Sequence, residues 1–229
     1  MDNNPKHHSC RRRWLIGIGV ACLVIVIGLG VASNYMLSYS LCPPMRHGHN
    51  LSWRLDNILS QSPQLRPWAD SLRRCHALRD TFITMPSGER HHATYIVARR
   101  PTDRVAVLVH GYKDNGMGMM HIASIYSRLG YHLLLPDLHA HGRSQGQGVQ
   151  MGWNDRLDVM RWMEVANRRF GQGRDTRMVV HGVSMGAATT MNVSGEQLPA
   201  YVRCFVEDCG YTSVWDEFGY ELRETFHLP

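Results

Sequence analysis

The hydrophobic pattern changes character three times along the chain. Over 14–33 it is unbroken: twenty residues, WLIGIGVACLVIVIGLGVAS, carry no charge. At about 1.5 Å per residue, a helix of that length crosses the roughly 30 Å hydrocarbon core of a bilayer. Over 38–80 the pattern is mixed. Pro43-Pro44 and Pro63 mark turns, and Trp68, Leu72, Cys75 and Leu78 keep helical spacing behind Pro67, a residue suited to a first helical turn. This stretch reads as a stalk followed by one lead-in helix. From about Thr81 short apolar runs alternate with longer helical patterns. Strands are predicted over 81–84, 92–98, 105–109, 132–135, 178–181 and 202–207, and helices over 119–129, 153–170 and 185–193. Strand–helix alternation of this kind implies an α/β fold, a mainly parallel sheet with helices on both faces. Ligand chemistry in such sheets gathers at the carboxyl ends of the strands.

Composition narrows the classes. With 44% hydrophobic and 19% charged residues the chain is neither disordered nor collagen-like. The formal charge is +6, and half of it sits in the first thirteen residues, where Lys6, Arg11, Arg12 and Arg13 face only Asp2. Only 9% of the residues are aromatic and no basic stripe interleaves with them, so no nucleic-acid partner is expected.

The chemistry concentrates in Gly182-Val183-Ser184-Met185-Gly186, which follows the predicted strand MVVH and opens a predicted helix. This is G-x-S-x-G in its strand–turn–helix context. A nucleophile on so sharp a turn presses the residues two before and two after it against neighbouring backbone, where only glycine fits. Ser184 at the helix N-terminus meets free N–H groups and the positive end of the helix dipole. His110-Gly111-Tyr112 ends the apolar strand VAVLV, where an oxyanion donor belongs. The backbone N–H groups of Tyr112 and Met185 are the candidate oxyanion donors, and the His110 ring is read as a buried, hydrogen-bonded turn histidine. No CxxC pair exists, and His139-x-His141 lacks a third ligand nearby in sequence, so no metal and no cofactor is expected. The doublets His7-His8 and His91-His92 are read as solvated.

The segments VLVHGY (107–112), LPDLHAHGRSQG (135–146) and VVHGVSMGAA (179–188), with the runs 150–158 and 207–218, resemble the α/β-hydrolase superfamily. They are most similar to bacterial membrane-anchored serine hydrolases of the serine aminopeptidase and esterase-like group. The resemblance covers roughly 78–229 and implies a serine hydrolase acting on an ester, thioester or amide of a small acyl or peptide substrate. In the loop 137–144, Ala140 stands where the family pattern has Gly, and His139 where it has Arg. The resemblance also implies an acid and a histidine following Ser184. Formally Asp208 and His227 fill those places, but His227 ends a predicted amphipathic helix that opens a cap near residue 212. The expectation is therefore that the acid–base pair lies beyond Pro229 and that the hydrolase domain, 81–229, is incomplete. A catalytically silent binding module is the alternative.

Basic residues stay on the cytoplasmic side, so Arg11, Arg12 and Arg13 orient the apolar stretch. The expected layout is a cytoplasmic tail over 1–13, a single-pass anchor over 14–37 and an extracytoplasmic hydrolase domain. A cleaved signal peptide ending near Val31-Ala32-Ser33 and a buried soluble helix are the competing readings. In this layout Cys42, Cys75, Cys204 and Cys209 lie where disulfides persist. Cys204 and Cys209 are too far apart to pair if extended, and nothing in the spacing demands Cys42 with Cys75. Oligomeric state is not legible.

Overall fold

The computed structural model describes residues 5–42 and 51–227, in two units that divide at Pro43 and Pro44. The described part of the first unit is one helix, α1 (Pro5–Leu41), followed by Cys42. Within Arg12–Leu41 an eighteen-residue window has a mean hydropathy of 2.8 and none of it is buried, so the helix is long and apolar enough to span a membrane. The helix starts earlier and ends later than the anchor expected over 14–37, because neither 6–13 nor 38–41 holds a Gly or Pro to break it. The side chains of His7 and His8 lie outside the described residues.

The second unit is built on a six-stranded sheet in the order β1-β2-β4-β3-β5-β6. The strands are β1 (Arg79–Thr84), β2 (Arg90–Ile96), β3 (Arg104–Val109), β4 (His132–Pro136), β5 (Arg177–Val183) and β6 (Val202–Asp208). β1 and β2 form an antiparallel hairpin around the turn at Pro86-Ser87-Gly88, and β2 runs antiparallel to β4. β4, β3, β5 and β6 are mutually parallel. β3 has only Arg104 exposed, as its unbroken VAVLV requires of a strand covered on both faces.

Helices α4 (Met120–Arg128), α5 (Asp155–Gly171) and α6 (Met185–Ser194) make the crossovers, and α7 (Val214–Phe226) follows β6. α5 buries Val159, Trp162, Met163, Ala166 and Phe170, the apolar face its spacing predicts. α7 is capped by Ser213, whose hydroxyl accepts from the Asp216 N–H.

The lead-in differs from the expected stalk. Residues 51–74 form two helices, α2 (Leu51–Gln61) and α3 (Arg66–Arg74), where the sequence pattern predicted one. Leu55, Ile58, Leu59, Leu65, Ala69 and Leu72 join Leu108, Leu133 and Met120 in one core. Leu55, Ile58 and Leu59 keep helical spacing, but Ser62-Pro63 reads locally as a turn, and the chain does turn there, through a short 3-10 stretch over Pro63–Leu65. Cys22, Cys42, Cys75, Cys204 and Cys209 are exposed free thiols.

Candidate active site

Ser184 stands between β5 and α6 at φ 56° and ψ −120°. A non-glycine residue held there stores strain of about 1–3 kcal/mol, which the surrounding structure must over-determine. Its N–H donates to the Asp208 carbonyl of β6 at 2.8 Å. Its own carbonyl accepts from Ala187 and Ala188 at 2.8 and 3.0 Å, starting α6. The turn is closed by two glycines. A Cβ at Gly182 would lie 2.0 Å from the Gly186 carbonyl oxygen, and one at Gly186 would lie 2.1 Å from the Val109 carbonyl oxygen. Neither position accepts a side chain. The contact of Gly186 with β3 packs the start of α6 directly against the strand that leads to His110.

The loop after β3 passes over the serine. A Cβ at Gly111 would be 3.3 Å from Ser184 Cβ and 3.7 Å from its Oγ, so the Gly111 backbone sits against the hydroxyl. Tyr112 follows at once, and the ammonium of Lys113 lies 4.8 Å over its ring. Met185, the other candidate donor, is the first residue of α6 and fully buried. His110 is fully buried too: its Nδ1 donates to the Gly111 carbonyl at 2.7 Å and its Nε2 accepts from the Leu138 N–H at 3.0 Å. That imidazole braces the loop and has no free nitrogen for catalysis.

Behind this loop Asp137 acts as a buried clamp. One oxygen accepts from Gly116 N at 2.8 Å, and the other accepts from Arg143 N at 2.8 Å and from His92 Nδ1 at 2.7 Å. Burial opposes the charge, but the His92 hydrogen bond and its neighbours hold the carboxyl below its usual range. His92 Nε2 reaches Asp80 at 3.0 Å, and Arg143 reaches the same carboxylate. The doublet His91-His92 is therefore not solvated: both residues are 0% exposed. They sit on β2, which is covered on both faces, so neither direction of alternation leads to water. Ala140, at φ 58°, occupies a left-handed position in the loop 137–146, and Gly142 another at φ 53°. Burial first, then the charges of Asp155 and Glu89, push Asp158 on α5 up to about 7.

The sequence candidates for acid and base are not assembled on the serine. His227 caps α7 in an exposed left-handed turn, its N–H donating to the Leu222 carbonyl. Asp208 meets Ser184 through backbone only. Among the described residues no imidazole is hydrogen-bonded to Ser184 Oγ.

Strand order, crossover helices and the serine turn at the carboxyl end of β5 together decide the fold. The second unit has the α/β-hydrolase fold. Residues 100–207 match the model of the serine aminopeptidase S33 family. The Bacillus subtilis (strain 168) protein YqkD is 24% identical over 219 residues, which are 95% of this chain and 67% of that one. The Pyrococcus furiosus esterase Pf2001 is similar in structure, with a TM-score of 0.57 and 22% identity over 66% of this chain. The chain spans 57% of that esterase. The α/β hydrolase GrgF from Penicillium sp. sh18 superposes with a TM-score of 0.50 at 14% identity, over 66% of this chain and 53% of its own.

Proposed function

We propose that this α/β-hydrolase chain works as a serine hydrolase by nucleophilic acyl transfer from Ser184. The observation that carries the reading is the strained Ser184 turn with the Gly111 backbone against its hydroxyl. Ser184 Oγ attacks an ester, thioester or amide carbonyl of a small acyl or peptide substrate. The N–H groups of Tyr112 and Met185 take up the oxyanion, each worth about 2.7–4 kcal/mol of barrier in such sites. The alcohol, thiol or amine leaves as the carbonyl re-forms, and water then hydrolyses the acyl-serine to the free acid and restores the hydroxyl. α1 anchors the chain over 14–37, with the basic residues 11–13 on the cytoplasmic side and the hydrolase domain outside.

A second reading, a catalytically silent module that binds a ligand at the membrane surface, is favoured by the serine's lack of an imidazole partner among the described residues. Fluorophosphonate labelling of the full chain in detergent separates the two. Labelling abolished by Ser184→Ala is expected of the hydrolase. No Ser184-dependent labelling would sink it and leave the binding module.

A further inference from the structure

His91 is fully buried on β2, and neither of its ring nitrogens has a hydrogen-bond partner. Buried polar side chains are nearly always satisfied, and an orphaned one costs about 1–3 kcal/mol. The surroundings explain the vacancy in its bonding. Glu89, two residues earlier, and His139, in the loop after β4, bring ligand atoms that lie with one from His91 all within 4.8 Å of one another. His139 Nδ1 is 3.2 Å from Glu89 Oε2. That separation is long for a charge-assisted hydrogen bond, but it matches the edge of a tetrahedron of oxygen and nitrogen ligands about 2.0–2.2 Å from a central ion. Behind His91 stands Asp158 of α5, its Oδ2 3.4 Å from His91 Nδ1.

We propose that Glu89, His91 and His139, with Asp158 behind His91, form a site for one divalent transition-metal ion of the zinc class. Two imidazoles and a carboxylate are the donor set that such borderline ions prefer over calcium or magnesium. Asp158, whose Oδ2 approaches His91 Nδ1 without a hydrogen bond, stands where an outer carboxylate orients a ligating histidine by accepting its other N–H. Charge balance points the same way. Glu89 has the Ser87 hydroxyl and each carboxylate has a histidine beside it, but no Lys or Arg among the described residues is ion-paired with Glu89 or Asp158. The position gives the ion a structural role. It ties the turn before β2, the loop 137–146 and α5 together, and Leu138 of that loop holds His110 beneath the Gly111-Tyr112 backbone. The site does not depend on Ser184 being a nucleophile.

The test uses the full chain in detergent, with His7, His8, His47 and His49 replaced by alanine so that other histidines do not bind metal. After chelator treatment, Zn2+ is titrated calorimetrically and Co2+ by its visible absorption. Expected are one equivalent bound, an upward shift of the melting temperature with Zn2+, and the strong visible bands of a low-coordinate Co2+ site. His139→Gln should abolish the site. Glu89→Gln, whose side chain is 34% exposed and so tolerates exchange, should weaken binding at least about tenfold while melting like the metal-free parent. No saturable binding in the metal-free parent, or equal affinity in parent and both variants, overturns the proposal.

Discussion

Gly186 and Val109 are in contact through bare backbone, with a Cβ at residue 186 falling 2.1 Å from the Val109 carbonyl oxygen. The obstacle is backbone in a central strand, so no rotamer change relieves it. Gly186→Ala should destabilise the second unit by about 3 kcal/mol or more, at the upper end of overpacking costs. A thermal melt checks this, and Ser184 labelling should fall with it, because the displaced helix carries the turn.

The strain at Ser184 is open to a separate measurement. Ser184→Gly removes the side chain that makes φ 56° costly, whereas Ser184→Ala keeps a Cβ in the same conformation. The glycine variant should be more stable than the alanine variant by about 1 kcal/mol. That corresponds to a rise of about 2–4 °C for a body of this size. Both variants should be unlabelled. Equal melting temperatures would show that the turn holds no strain at this residue.

His110 sets an acid limit on stability. Burial is the first cause holding its pKa below the ordinary 6.5, against smaller opposing effects from Asp137 and the Gly111 carbonyl. The folded form therefore excludes a proton that the unfolded chain accepts. Its contribution is complete above pH 6.5 and is lost as pH falls from 6.5 towards the folded value, at up to about 1.4 kcal/mol per unit. His110→Gln can still accept the Leu138 N–H without titrating. Denaturant unfolding at several pH values should show a shallower decline for the variant below pH 6.5 than for the parent.

Topology follows from the placement of charge. A reporter active only outside the cytoplasm, fused after Pro229, should be active, and a cytoplasmic reporter at the same place silent. Replacing Arg11, Arg12 and Arg13 with neutral residues should shift part of the population to the opposite pattern, because the positive-inside bias rests mainly on them.

The sequence by itself determined those features whose cause is local. The VAVLV run, the α5 face with Val159, Trp162 and Phe170, and the glycine spacing around Ser184 each follow from a period or a steric demand inside one short segment. Tertiary structure alone decided what distant segments share. Asp80, His92, Asp137 and Arg143 form one hydrogen-bonded group only because β2 lies between β1 and β4 in this register. In the same way His139 gains Glu89 from the β1–β2 turn and His91 from β2 as neighbours, although nothing near it in sequence could serve as a third ligand. A doublet such as His91-His92 carries no mark of burial, since its burial comes from what covers both faces of β2. Residues 51–74 show the same limit: their apolar positions become core only when β3 and β4 offer a surface to cover. Hydrophobic period records which face of an element is apolar, while the partner that buries it is set by strand order and crossover, which are properties of the whole chain.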